Sequence, residues 1–183
     1  MGNRRFRSRV VLFAALAASS LLAASASAQD RDGVRLRAGF SLDAGGMFGD
    51  AYSGFMAGGD ARLGVQINHI LGLYVDPHLA FGPVSVSGGG AKLNSLIGVF
   101  AATGMVEGTL GHRVFLGAGG GFGVVNNPTG PVLHVRGGFY PVVWRGLNGY
   151  RRKAFFVAVD SRTYFLSGAK EEEFLGSIGY EAF

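Results

Sequence analysis

The chain contains no cysteine among its 183 residues, so it can form neither a disulfide framework nor a metal site with thiolate ligands. After position 28 it also lacks a run of roughly 18 consecutive apolar residues, which disfavours membrane-spanning helices. Lysine is scarce as well, since beyond position 28 it occurs only as Lys92, Lys153 and Lys170. Soluble β proteins usually cover their exposed faces and sheet edges with lysine and other charged residues. The deficit therefore disfavours a water-soluble β domain.

The first 28 residues have the pattern of a secretory signal peptide. Four arginines stand in a basic head, an apolar run covers residues 10–24, and Ala26-Ser27-Ala28 supplies small residues at the cleavage site. The apolar run falls short of the roughly 20 residues that a membrane helix needs. We predict that residues 1–28 are an export signal and that residues 29–183 form one domain.

The basic character of the chain belongs to that export signal. The formal net charge is +5, and residues 1–28 contribute four arginines and no acidic residue, which leaves about +1 for the remainder. A nearly neutral domain gives no electrostatic warrant for nucleic-acid binding. We expect no nucleic-acid partner.

Residues 29–183 alternate between apolar and polar side chains with period two, the pattern of strands with two different faces. The first such strand has Leu36, Phe40 and Leu42 on one face and Arg37 and Asp43 on the other. Further strands begin near Phe55, Leu71, Val114, Leu133 and Phe155, and two more cover roughly residues 95–108 and 174–183. These eight segments predict an all-β fold, an eight-stranded antiparallel up-and-down transmembrane β-barrel.

The connections between the strands also alternate in length. Short turns are predicted at residues 68–70 and 109–112, and longer loops at 45–54, 82–93, 126–131 and 166–173. Outer-membrane barrels have this layout, with the short turns in the periplasm. The third turn, residues 144–153, departs from it because it is long and basic. Pro77 removes a backbone donor inside the third strand, which predicts a bulge or local irregularity there.

The polar face of the strands combines glycine and tyrosine with nearly equal numbers of arginines and carboxylates. Arginines that fork onto carboxylates suit a narrow, filled interior, which is the interior of an eight-stranded barrel. The predicted interior network comprises Arg37, Asp43, Asp60, Arg62, Asp76, His78, Arg113, His134, Arg136, Asp160 and Arg162, with Glu107 and Glu181 as further candidates.

Three patterns invite more specific interpretations. The glycine-rich run at residues 117–123 lacks a phosphate-loop spacing, so it fits a curved barrel wall instead. Asp76, His78 and His134 make a metal or acid–base site conceivable, but without a motif spacing we favour paired interior residues, with no metal and no cofactor. A nucleophile beside a histidine is not evident, so we predict no enzyme activity. The acidic run at residues 171–173 is expected in a solvated outer loop.

With its export signal, eight amphipathic strands, alternating connections, lack of cysteine and terminal Phe183, the chain resembles the small bacterial outer-membrane barrels typified by the OmpA membrane domain and OmpX. The resemblance implies a monomer in the cell outer membrane, in contact with outer-membrane lipids and lipopolysaccharide and inserted by the outer-membrane assembly machinery. In that class a C-terminal Phe with alternating hydrophobic residues is part of the assembly signal. Here the apolar set Phe174, Ile178 and Tyr180 lies in the opposite register to Phe183.

These observations predict the cellular location of the protein better than its biochemical function. We favour a structural, envelope-stability or surface-interaction role, with specificity in the four outer loops. Transport of small solutes through the barrel, in the manner of a porin, is an alternative. A soluble periplasmic barrel that binds a ligand inside is another, because alternation alone does not say which face of the strands points inward.

Overall fold

The computed structural model describes residues 34–68, 70–88, 91–145 and 152–183, and the predicted export signal at residues 1–28 lies outside them. Within these residues the chain forms eight strands: β1 (Arg35–Gly49), β2 (Tyr52–Gln66), β3 (Leu71–Gly88), β4 (Ala91–Leu110), β5 (Val114–Val125), β6 (Thr129–Arg145), β7 (Arg152–Leu166) and β8 (Ala169–Ala182). The described part of the chain contains no helix long and apolar enough to cross a membrane.

Each strand pairs with its sequence neighbours, and β1 also pairs with β8 to close the barrel. All the pairings are antiparallel, and the closing register runs from Ala38↔Ala182 to Gly49↔Glu171. The predicted all-β, eight-stranded, up-and-down barrel is confirmed. Closure leaves no sheet edge, so the backbone groups of every strand can pair within the wall.

The period-two pattern separates an apolar exterior from a largely polar interior. On β1, Phe40 and Leu42 are 59% and 68% exposed, whereas Ser41 and Asp43 between and beside them are buried. Successive side chains of a strand point to opposite faces, so one register fixes the whole strand. The predicted division of the strands into two faces is what the barrel shows.

The connections are shorter than the sequence predicted, because the strands continue into the predicted loops. Residues 50–51, 126–128 and 167–168 are all that separate the strands there, so the predicted long loops at 45–54, 126–131 and 166–173 are wrong. The predicted loop at 82–93 is also mostly strand, since β3 and β4 pair from Leu71↔Gly108 to Gly88↔Ala91. We call this end of the barrel the far end, and the end that holds Arg35 and Ala182 the terminal end.

The predicted basic turn at residues 144–153 is partly strand. Trp144 pairs with Lys153, and Arg145 pairs with Arg152, in the antiparallel register of β6 and β7. Residues 146–151 lie outside the described part of the chain.

Pro77 causes no bulge, but the predicted local irregularity is present, because the β2–β3 pairing is interrupted between Asp60↔His78 and Leu63↔Val75. The β2–β3 register passes from Asp60↔His78 to Leu63↔Val75 without a shift, and Pro77 itself pairs with Ala102 on β4. The register shift that the structure does contain lies on β6, between Phe139 and Val142. A prolyl residue is therefore accommodated inside a wall strand with the register intact.

Glycine is required in the wall where two strands approach closely. A Cβ at Gly121 would lie 1.9 Å from the carbonyl oxygen of Ala102, and one at Gly119 would lie 2.0 Å from that of Gly104. The glycine-rich run of β5 is therefore part of the barrel wall, as its sequence predicted.

Two apolar clusters occupy the two ends of the interior. The cluster near the far end contains Met47, Met56, Ala80, Val84, Ile97, Val99, Ala101, Val125, Val132, Tyr164, Leu166 and Leu175. The cluster near the terminal end contains Phe115, Tyr140, Ala154, Phe156, Ala158 and Phe183. The interior is therefore filled by apolar as well as charged side chains, and the polar groups lie mainly between or beside these clusters.

Candidate functional site

The first polar group of the interior, which we call the Arg37 cluster, lies toward the terminal end. Its members are buried side chains from six strands: Arg37, Gln66, Tyr74, Glu107, Arg136, Tyr140 and Glu181. Arg37 forms ion pairs with both Glu107 and Glu181. Because β1 lies beside β8 and across the interior from β4, one guanidinium bridges two walls of the barrel.

Tyrosine hydroxyls complete the coordination of the two glutamates. The Tyr74 hydroxyl donates to Glu107 Oε2 at 2.8 Å, and the Tyr140 hydroxyl donates to Glu181 Oε2 at 3.0 Å. Arg136 Nη1 donates to Glu107 Oε2 at 3.2 Å. Two arginines thus face two glutamates, and each carboxylate has donors on both oxygens. A buried charge requires this degree of pairing to be tolerated.

Aromatic rings stack against the interior arginines. Phe156 lies between two of them, with its ring centroid 4.5 Å from the guanidinium carbons of both Arg62 and Arg136. Phe115 contacts Arg136 at 4.5 Å, and Phe183 contacts Arg37 at 5.3 Å. Cation–π contacts of this kind stabilise desolvated guanidinium groups. The terminal Phe183 therefore faces the interior, in the register opposite to the outward apolar residues of β8.

The second polar group, the Asp60 cluster, lies between the Arg37 cluster and the far end. It consists of the buried residues Asp43, Asp60, Arg62, Asp76, His78, His134, Asp160, Arg162 and Glu173. Arg162 Nη2 donates to Asp60 Oδ1 at 2.8 Å, and Arg62 Nε donates to Asp76 Oδ2 at 3.0 Å. Arg136 Nε lies 3.4 Å from Asp160 Oδ1, which links the two clusters.

Each of the two interior histidines has two polar partners. His78 Nδ1 lies 2.6 Å from Asp60 Oδ1, and its Nε2 lies 3.2 Å from Glu173 Oε2. His134 Nε2 lies 3.1 Å from Asp160 Oδ1, and its Nδ1 lies 3.0 Å from the Thr103 hydroxyl. The histidines therefore take part in the network of paired interior residues.

The Asp60 cluster is not balanced in charge. It contains five carboxylates and two arginines, so it is more negative than the Arg37 cluster whatever the state of its histidines. Asp43 is 4% exposed, and neither of its carboxylate oxygens has a hydrogen-bond partner among the described residues. Its Oδ2 lies 3.9 Å from His78 Nδ1. An unpartnered buried carboxylate is a costly feature in a folded protein.

The structure places the predicted network residues in the interior with one exception, Arg113. That residue is exposed in the turn between β4 and β5, where its backbone N–H donates to Leu110 O. The sequence prediction for Arg113 is wrong because β4 ends at Leu110 and β5 starts only at Val114. Glu107 and Glu181, the two further candidates, are buried in the Arg37 cluster.

The acidic run at residues 171–173 is a second correction, because it lies in β8 rather than in a solvated loop. Glu171 and Glu173 point inward and are buried, while Glu172 points outward beside Lys170. The Glu171 carboxylate accepts hydrogen bonds from the backbone N–H groups of Ala51 and Tyr52, at 2.8 and 3.3 Å. Period two carried back from Phe174 and Ile178 would have identified both inward glutamates.

Comparisons with known proteins return structural similarity only. No protein-family model matches the chain, and no curated protein matches it. One similar solved structure is the crystal structure of Ail, the attachment invasion locus protein of Yersinia pestis, with a TM-score of 0.49 and 13% sequence identity over 82% of this chain and 99% of that chain. The crystal structure of Ail in complex with the heparin analogue sucrose octasulfate has a TM-score of 0.45 and 12% identity over 81% of this chain and 97% of that chain.

Proposed function

We propose that this chain is a bacterial outer-membrane β-barrel with a structural, envelope-stability or surface-interaction role and no enzyme activity. In this proposal residues 1–28 direct export, residues 29–183 form the barrel, and the assembly machinery inserts it as a monomer among outer-membrane lipids and lipopolysaccharide. The observation that carries the proposal is the distribution of apolar side chains over the outside of the barrel.

Every strand presents large apolar side chains outward. Those that are at least 50% exposed include Leu42, Phe55, Phe81, Leu96, Leu116, Leu133, Val159 and Ile178. On β5 the outward positions are apolar or glycine from Val114 to Val124, close to the roughly 9–11 residues with which a tilted strand crosses a bilayer. In water such a belt would far exceed the roughly 300–600 Å² apolar patch of a typical soluble protein. An apolar belt of this size is favourable in contact with lipid.

Aromatic residues on the outside also mark one membrane boundary. Trp144 packs against Phe155, Phe155 against Tyr180, and Tyr180 against Phe40, with ring centroids 5.4, 5.6 and 6.2 Å apart. These four residues lie toward the terminal end of β6, β7, β8 and β1. Aromatic side chains concentrate where a membrane meets water. We assign the terminal end to a membrane boundary.

The orientation of the two faces argues against a soluble ligand-binding barrel. Such a barrel encloses an apolar cavity and presents polar residues to water. In this chain four arginines (Arg37, Arg62, Arg136 and Arg162) and most of the described carboxylates are buried inside, and the apolar belt is outside. The filled interior also favours a closed barrel over a solute channel, because both polar clusters and the far-end apolar cluster occupy it.

A surface-interaction role would rest on strand ends rather than on long loops. At the far end the backbone N–H of Lys170 donates to Asp50 Oδ2 at 2.9 Å, which holds the β1–β2 connection against β8. The Lys170 ammonium donates to Glu172 at 2.6 Å. The described far-end surface therefore carries charged groups at Asp50, Lys170 and Glu172, and the β3–β4 hairpin extends beyond β5 there. The expectation of long specificity loops no longer supports this role.

Cell fractionation with gel electrophoresis tests the proposal. We expect the protein in the outer-membrane fraction, resistant to extraction by urea, with an unheated band that migrates differently from the heated one. Recovery in the soluble periplasm without a heat-dependent shift would refute the membrane assignment. Purified protein in planar bilayers should give no steady conductance, and a reproducible conductance would favour transport instead.

A further inference from the structure

Three inward side chains from adjacent strands bring potential metal ligands together inside the barrel. Asp43 on β1, Asp60 on β2 and His78 on β3 each offer one donor atom, and these atoms lie within 4.8 Å of one another. Asp60 and His78 are directly opposite in the β2–β3 register, so the strand pairing itself sets their proximity. All three side chains are buried.

Among the buried carboxylates of the described residues, Asp43 is the one without a hydrogen bond, although guanidinium nitrogens of Arg62, Arg136 and Arg162 also lack partners. Neither of its oxygens accepts a hydrogen bond among the described residues, although the side chain is 4% exposed. Ser177, its partner on β8, donates its hydroxyl hydrogen bond to Asp160 instead. A carboxylate in this position requires either a proton or a cation to offset the cost of burial.

The net charge of the Asp60 cluster also favours a bound cation. Its five carboxylates exceed its two arginines by three negative charges, and protonation of both histidines would still leave an excess of one. One divalent cation beside Asp43 corrects the larger part of this imbalance. The Arg37 cluster contains no comparable excess, since two arginines there face two glutamates.

The surroundings of His78 match those of a metal-binding histidine. A histidine that coordinates a metal through one ring nitrogen usually donates its other N–H to a carboxylate, which fixes the ring. His78 Nδ1 faces Asp60 at 2.6 Å and Asp43 at 3.9 Å, while its Nε2 lies 3.2 Å from Glu173. Glu173 is in turn held by the Tyr164 hydroxyl at 2.8 Å. The donor atoms lie within 4.8 Å of one another, whereas two ligands roughly 2.1 Å from one ion are at most about 4.2 Å apart. Binding therefore requires the three side chains to draw together and Asp60 Oδ1 to share its contact with Arg162.

We propose that Asp43, Asp60 and His78 bind one divalent cation inside the barrel, with Glu173 as the positioning residue for the His78 ring. Carboxylate oxygens with one imidazole nitrogen suit Zn²⁺ or Mn²⁺ better than Ca²⁺, which prefers oxygen ligands alone. The ion joins β1, β2 and β3. Because apolar clusters occupy both ends of the interior, it enters while the barrel folds and is then slow to leave.

Metal retention after folding tests the proposal. Protein purified from cells that express the full chain is unfolded in urea and refolded in detergent with Zn²⁺ or Mn²⁺, then treated with a chelator and freed of unbound ions by gel filtration. Elemental analysis should find about one ion per folded chain, and the loaded barrel should unfold at a higher urea concentration than the unloaded one. Folded wild-type barrel without bound ion, or with ions that the chelator strips at once, would overturn the proposal.

Variants separate this site from adventitious binding. Asp43→Asn and His78→Gln should abolish retention, and Glu173→Gln should weaken it about 10–100-fold. His134→Gln and His112→Gln are the controls, because those histidines lie outside the site, and both should retain the ion. Loss of binding in the controls, or full retention in Asp43→Asn, would contradict the assignment. Heat-dependent gel migration, measured in parallel, reports the folded barrel independently of the ion, so failure of this proposal leaves the membrane assignment standing.

Discussion

The two polar clusters inside the barrel are built from the same residue types but differ in charge balance. In the Arg37 cluster, two arginines and two tyrosine hydroxyls satisfy Glu107 and Glu181. The Asp60 cluster contains five carboxylates and two arginines, with Arg136 of the other cluster in contact with Asp160. Asp43 has no hydrogen-bond partner among the described residues. The interior as a whole therefore holds more carboxylates than arginines, and the excess lies in the Asp60 cluster because the strand register decides which charges meet.

The largest change in the free energy of unfolding is expected when Arg37, the central cation of the Arg37 cluster, is replaced. Arg37→Met leaves Glu107 and Glu181 buried without their guanidinium partner, which should lower the free energy of unfolding by about 3–5 kcal/mol. Urea unfolding in detergent, followed by the fluorescence of the single tryptophan, Trp144, measures it. Arg113→Met is the matched control, because Arg113 is exposed in a turn, and it should stay within about 0.5 kcal/mol of the wild type.

Removal of one negative charge should destabilise the barrel in the Arg37 cluster but not in the Asp60 cluster. Glu107→Gln breaks charge-assisted contacts with Arg37, Arg136 and Tyr74 and should destabilise the barrel by about 1–3 kcal/mol. Asp43→Asn, in protein folded without divalent ions, removes an unpartnered charge and should be neutral or stabilising. Equal destabilisation by both substitutions, in the same urea titration, would show that the clusters do not differ in balance.

A smaller effect is expected where the two clusters meet. Phe156 stacks between Arg62 of the Asp60 cluster and Arg136 of the Arg37 cluster, and Phe156→Leu should cost about 1–2 kcal/mol through the lost cation–π contacts. Phe155→Leu is the neighbouring control, since Phe155 is 49% exposed on the outer face. A loss as large in the control would mean that general packing, rather than guanidinium stacking, sets the effect.

The sequence predicted the strand count and the face of each strand well, because both follow from period two and from the lack of lysine. Arg37, Asp60 and Arg136, for instance, lie inside as their alternation with apolar neighbours required. Strand ends were predicted poorly: glycine-rich segments such as residues 45–54 look like loops but continue as wall strands. That error placed Glu171 and Glu173 in solvent. Arg113 was wrong for the opposite reason, because it was predicted as part of a strand and lies in the turn before β5.

The sequence alone could not predict which side chains contact each other across the interior. Arg37 meets Glu107 and Glu181 from strands distant in sequence, and the closure of β1 on β8 determines that meeting. Asp43 likewise lacks a hydrogen bond because the Ser177 hydroxyl donates to Asp160 instead. Periodicity assigns a side chain to a face, whereas its partner depends on barrel diameter and register.

The central claim is that the apolar face of each strand points outward and contacts lipid. Since the chain has no cysteine, a single Leu42→Cys or Asp50→Cys substitution carries one nitroxide spin label, and its collisions can be measured in liposomes. We predict that the label at Leu42, in the middle of β1, collides more with oxygen dissolved in lipid than with a water-soluble nickel chelate, and that the label at Asp50 does the reverse. Greater access of the nickel chelate at Leu42 would contradict the account.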